Sequence, residues 1–187
     1  MENERNGKYL ETSVRVLQNV STSIVVRGLD DLTFLATHSP AEFFVQKGKV
    51  CYESEDYHQA VMYFSQALRL DPQNAEAQFM MGAMYNSGQG VARDYVEAVK
   101  WFLNAAEQGH TQAQYNVGLM YWRGEGAPQD FVKAHMWLDL SAAQGDSDAK
   151  KYRDELAERM SPSQLAEAER LAMEWKHRGN LTIIENP

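Results

Sequence analysis

The chain has 187 residues, 44% of them apolar and 11% aromatic, which is enough to bury a core and excludes a disordered polymer. Its 26 acidic side chains outweigh 18 Lys and Arg for a formal charge of −8, which argues against a nucleic-acid partner, because such proteins present a basic face. The one cysteine, Cys51, excludes an internal disulfide framework and a cysteine-based zinc site, and no apolar run is long enough to span a bilayer.

Residues 1–40 read as an N-terminal arm, partly disordered over its first dozen residues. No apolar stretch of signal-peptide type follows the polar Met1–Lys8 segment, so the expected location is cytoplasmic. The β-branched run Ser21–Val26 has the composition of a strand. Val14, Leu17, Val20 and Ile24 fall equally on one face of a helix, and the helical reading is preferred. Asp30–Thr37 reads as a short helix with Asp30 as its cap.

Residues 41–74 carry Phe44, Gly48, Ala60, Phe64, Ala67 and Pro72. Ser39-Pro40 supplies an N-cap followed by a proline in the first turn, and Asp71-Pro72 supplies the stop. The spacing resembles a tetratricopeptide repeat, with Lys47 where that family usually has leucine.

Downstream the sequence repeats itself. Residues 75–110 lie over 111–146 without a gap, matching Ala77 with Ala113, Gln78 with Gln114, Gly82 with Gly118 and Tyr85 with Tyr121. Gly88 and Gly90 match Gly124 and Gly126; Asp94 matches Asp130, Trp101 matches Trp137, and Gln108-Gly109 matches Gln144-Gly145. Each copy reads as two helices, the first over Ala75–Ser87 and Thr111–Arg123, joined by a glycine loop. Asp94 and Asp130 stand where a cap or first-turn acid belongs, and Gly109 and Gly145 end the second helices. Gly82 and Gly118 lie inside helices, at a cost of about 1 kcal/mol each, which points to close helix–helix approach. Trp101 and Trp137 recur at one position and read as core.

The pattern of Ala, Gly, Tyr, the glycine loop, Asp, Ala, Trp and a late Ala pair closely resembles the Sel1-like repeat family. The second copy has Ser141 for the first alanine of the late pair, and Ala127-Pro128 for Val91-Ala92. The resemblance implies an all-α, right-handed α-solenoid of antiparallel helix pairs. The expected organisation is an arm (1–40), one tetratricopeptide-like repeat (41–74), two Sel1-like repeats (75–146), capping helices (147–179) and a tail (180–187). In the C-terminal capping pair, Tyr152, Leu156 and Met160 share a face of a helix over Asp148–Met160. Ser161-Pro162-Ser163-Gln164 opens the next helix as a capping box, and Gly179 ends it.

Candidate chemistry is sparse. His135 and Asp139 are four residues apart on a predicted helix and read as a surface pair. Asp30-Asp31 and Glu53-x-Glu55-Asp56 lack the spacing of a calcium loop and read as turn and cap acids. Cys51 reads as a small core residue without an activating base. Some Sel1-like proteins with disulfide-paired helices are linked to β-lactam hydrolysis; the paired cysteines are missing here. No metal, cofactor or catalytic residue is therefore expected.

The resemblance also implies a concave groove lined by the first helices. Carried over position by position, its partner-binding residues are Lys49, Tyr52, Phe79, Asn86, Tyr115, Leu119, Trp122 and Arg123. Trp122 has Asn86 as its counterpart, so the framework does not demand tryptophan there. It reads either as an interface anchor or as packing for the capping helices. The leading functional expectation is a non-catalytic adaptor for a protein or peptide, with no nucleic-acid or membrane partner. The alternatives are a hydrolase related to Sel1-like enzymes and a self-assembling structural protein whose tail residues Leu181, Ile183 and Ile184, or whose arm, dock on a neighbour in a weak homo-oligomer.

Overall fold

The computed structural model describes residues 37–184, with side chains as far as Arg178. The expected element at Ser21–Val26, the Asp30 cap and the side chains of Leu181, Ile183 and Ile184 lie outside the described residues. Every regular element among the described residues is an α-helix. In chain order they are α1 (Pro40–Glu53), α2 (Tyr57–Leu70), α3 (Ala75–Ser87), α4 (Tyr95–Glu107), α5 (Thr111–Arg123), α6 (Phe131–Ala143), α7 (Ser147–Ala157) and α8 (Pro162–Ile184). The chain divides after Ala77 into two compact units.

In the first unit, Ser39 caps α1 through its hydroxyl, which accepts from the Glu42 N–H at 3.2 Å. The Glu42 carboxylate accepts from the Ser39 N–H at 2.7 Å, so two otherwise orphaned donors are satisfied. Asp56 caps α2 in the same way, accepting from Gln59 N–H at 3.3 Å. Phe44, Ala60, Phe64 and Ala67 are fully buried where the two helices meet. Gly48 permits this closeness: a Cβ there would stand 2.6 Å from the Phe64 ring. Lys47, where the repeat family usually has leucine, lays its ammonium 5.3 Å from the centre of the Phe43 ring, so its stem still covers apolar surface.

The same contact recurs twice in the second unit. A Cβ at Gly82 would lie 2.6 Å from the Phe102 ring, and one at Gly118 would lie 2.7 Å from Leu138 Cγ. Phe102 and Leu138 are 1% and 0% exposed, so neither can swing aside. The loops after α3 and α5 are closed by glycines at positive φ, and Gly126 (φ 72°) has a second constraint. Its Cβ would fall 2.0 Å from the Tyr95 carbonyl oxygen, so backbone seats directly on the start of α4. Asp94 and Asp130 cap α4 and α6, as their spacing implied.

Carboxamides tie the two helices of each Sel1-like copy together. Gln108 Nε2 donates to Gln78 Oε1 at 2.7 Å, and its repeat counterpart Gln144 Nε2 donates to Gln114 Oε1 at 2.8 Å. Gln114, 0% exposed, also donates to the Ala106 carbonyl at 3.2 Å and so ties α5 back to α4. Ser141, in place of the alanine of the first copy, is equally buried, and its Oγ lies 3.0 Å from Thr111 O and 3.2 Å from Asp146 Oδ2. The hydroxyl substitution is thus satisfied by acceptors that alanine would not use.

The capping pair α7–α8 packs on α6 through Leu138, Ala149, Leu156, Met160 and Ala168. Asp146 caps α7, accepting from Asp148 and Ala149 N–H, and the Ser161–Gln164 capping box forms at the start of α8. Two expectations need correction. Gly179 does not end α8, which continues to Ile184. Trp101 is half-buried, whereas Trp137 is buried and meets Trp175 edge-on at 6.2 Å. The core position of the first copy is the next residue, Phe102, because that ring fills the space over Gly82.

Two outcomes follow for denaturant unfolding. Gly118→Ala should lose about 1–3 kcal/mol to overpacking, more than the ~1 kcal/mol that alanine gains in helix propensity. Combined with Leu138→Ala it should cost less than the sum of the single changes; additive values would contradict the contact. Phe102→Ala should cost about 3–5 kcal/mol and exceed Trp101→Ala. The reverse order would place the core wrongly.

Candidate functional site

The eight residues expected to meet a partner fall into separate surroundings. In the first unit, Lys49 on α1 is ion-paired with Glu76 at 2.5 Å. Tyr52, half-buried, meets Tyr57 edge-on at 5.4 Å.

In the second unit, Phe79 on α3 stacks on the His110 ring at 4.6 Å and tilts against Phe102 at 5.8 Å. His110 in turn caps α5, its Nδ1 accepting from Ala113 N–H at 3.2 Å, so Phe79 braces the start of the next helix. Asn86 is half-buried near the end of α3.

Tyr115, Leu119 and Trp122 are brought together along α5, where all three are partly buried against the capping pair. Tyr152 of α7 joins them, with its ring centre 6.1 Å from Tyr115 and 5.7 Å from Trp122, edge-on to the latter. The Arg159 guanidinium lies 5.7 Å from the centre of the Trp122 ring. Burial, with Tyr152 and Asp148 nearby, raises the Tyr115 hydroxyl above its ordinary pKa and keeps it a neutral donor. Arg123 is exposed, with Glu125 3.8 Å away. The result is a half-open aromatic ridge bordered by Arg123 and Arg159. Trp122 is held on one side by the cap and remains partly accessible.

Tyr152 and Arg159 were not among the expected contact residues. Arg159 lies one repeat period beyond Arg123, which was the available signal; Tyr152 has Asn116 as its counterpart and gave none.

Two other expectations change. Cys51 is half-buried, not a core residue. Partial burial, then the nearby Asp56 carboxylate, raises its thiol pKa, while Lys47 opposes this weakly. A raised pKa disfavours the nucleophilic thiolate. His135 and Asp139 do not form a surface pair. His135 is 6% exposed, and Asp139 turns to Arg153 of α7 (3.0 Å) and Lys176 of α8 (3.2 Å). Among the described residues no cluster of His, Cys, Asp and Glu could hold a metal ion, and no helix is long and apolar enough to cross a membrane.

These features define a helix-pair repeat protein whose repeats are clamped by glycine contacts and carboxamide bridges. Residues 75–110 and 111–146 each match the Sel1 repeat family model, and residues 48–88 match a TPR repeat model. The chain thus carries two Sel1 repeats and one TPR repeat. Among solved structures it is similar to a protective antigen from uropathogenic Escherichia coli with an SLR fold, at 24% identity and a TM-score of 0.70, covering 93% of this chain and 38% of that one. It is also similar to a Sel1 repeat protein from Oxalobacter formigenes, at 32% identity and a TM-score of 0.54, covering 58% of this chain and 43% of the other. The chain therefore spans less than half the length of either. The fold class is that expected, an all-α solenoid of helix pairs. Comparison with curated proteins gives no significant match.

Cys51 should react with iodoacetamide at pH 8 more slowly than a free cysteine, followed by mass spectrometry of the folded chain. Faster alkylation would show an activated thiol and revive a catalytic reading.

Proposed function

We propose that this protein is a non-catalytic adaptor that grips a peptide or protein on the face carried by the first helices of its repeats. Repeats of these two families generally serve as protein-interaction modules, which supports the coarse reading. The finer reading rests on one observation: Trp122, at a position where the preceding repeat has asparagine, stands half-open between Tyr152 and Arg159. A rigid aromatic side chain beside arginine is the commonest composition of an interface hot spot, because it offers large contact area for little lost rotamer freedom. Trp122 supplies the anchor, Tyr115 and Leu119 the apolar floor, and Arg123 a rim charge. Phe79 and Asn86 extend the face along α3, and Lys49 and Tyr52 are contact residues on the first unit taken by itself. The partner reads as a protein or peptide and not nucleic acid or membrane. The single cysteine suits a reducing compartment, and the cytoplasm is the proposed location.

The test is affinity capture with mass spectrometry using wild type, Trp122→Ala and Arg123→Glu, all verified as folded by circular dichroism. A partner retained by wild type, lost by at least 10-fold with Trp122→Ala and weakened with Arg123→Glu, is the expected result. Arg123 is exposed and touches only Glu125 among its ion pairs, so its reversal should leave the fold intact. Identical captures by all three proteins would place the site elsewhere.

A further inference from the structure

Among the described residues one buried side-chain nitrogen stands without a hydrogen-bond partner. His135 on α6 is 6% exposed, and its Nδ1 is sealed from solvent without a hydrogen-bond partner. A neutral ring protonated at Nε2 tolerates this, since Nδ1 is then only an unused lone pair. A protonated ring would place a charged N–H donor in the same sealed position with nothing to receive it.

The groups facing His135 come from all three helices of the C-terminal end. They are Asp139 on its own helix, Arg153 and Asp154 on α7, and Glu169 on α8. Asp139 is the nearest counter-charge in sequence, one helical turn away, and it is already committed. It holds Arg153 at 3.0 Å and Lys176 at 3.2 Å, and so ties α6 to both capping helices. Asp154 is likewise held, by Arg153 at 2.7 Å, so an imidazolium at His135 favours drawing Asp139 away from its ties or opening the seam to water.

We propose that His135 is a proton-sensitive clasp: its protonation releases the capping helices α7 and α8 from α6. Burial, the largest influence, lowers its pKa below the ordinary 6.5; Asp139 pulls the other way and Arg153 adds to the lowering. The sign follows from this direction. The closed cap binds the proton more weakly than the open one, so the closed state is favoured above pH 6.5 and loses ground as pH falls below it. Opening would uncover Leu138, Leu156, Met160 and Ala168, the apolar cluster that the cap now covers. Tyr152 would also leave Trp122; that consequence rests on the binding face proposed above, whereas the clasp itself does not.

Hydrogen–deuterium exchange of the full chain tests the clasp without any partner. After correction for intrinsic exchange rates, protection of α7 and α8 should fall by up to about tenfold per pH unit between pH 6.5 and 5, while α4 keeps its protection. That window titrates histidines and lies above the ordinary range of carboxylates. In His135→Gln and His135→Phe the fall should vanish. As a reading independent of either variant, the His135 ring resonances of the wild-type chain should titrate below pH 6.5, at the pH where the fall in cap protection levels off. Cap protection unchanged down to pH 5 would overturn the proposal. So would an equal fall in a folded His135 variant, or a ring that titrates without any change in the cap.

Discussion

The structure depends on one repeated steric contact, a glycine in the first helix of a pair set against a large side chain of the second. Gly48 faces Phe64, Gly82 faces Phe102, and Gly118 faces Leu138, each so closely that a methyl group would overlap the partner. The missing Cβ lets the two backbones approach, and the facing side chain then fills the space with almost no exposure. A glycine inside a helix is unfavourable alone, by about 1 kcal/mol against alanine. It persists here because close packing across the pair outweighs the local loss.

Stacking needs a second kind of interaction, directional where the first is steric. Gln114 supplies it, donating to the Ala106 carbonyl of the preceding copy, while the Gln78–Gln108 and Gln114–Gln144 bridges fix the two helices within each copy. Gln78 and Gln114 are buried, and a buried amide is costly unless paired, so these bonds disfavour other registers. Ser141 extends the same logic to the last repeat, where its hydroxyl engages Thr111 and the Asp146 cap. Against this satisfied interior the unpartnered Nδ1 of His135 is conspicuous, and it lies on the helix that carries the cap.

The cap does more than hide an apolar end. Its Tyr152 and Arg159 approach Trp122, so the aromatic face proposed for binding is part framework and part surface. An anchor held on one side loses less conformational entropy on binding than a free one. The same arrangement couples the face to whatever loosens α7, since Trp122 would then lose its support.

Much of this fold was legible in the sequence, because a gap-free internal repeat fixes helix limits locally. Ala75–Ser87 and Thr111–Arg123 end where glycine loops force a stop, and Asp94 and Asp130 cap by side-chain chemistry that depends on only a few neighbouring residues. The helical glycines could likewise be read as close approaches, since nothing else justifies their cost. What remained hidden depended on which direction a side chain takes across helices. The repeat placed Trp101 and Trp137 at one position, yet only Trp137 meets the capping helix and its Trp175; Trp101 stays half-buried while Phe102 fills the core. His135 and Asp139 share a helical face by spacing alone, and only the packing of α7 and α8 buries the first and turns the second to Arg153 and Lys176. Local periodicity and caps are set by residues within a turn or two of each other, so the chain by itself determined the helices and their pairing. Burial, charge partners and the make-up of the aromatic face involve residues 14 to 37 positions apart, and those only the tertiary structure could decide.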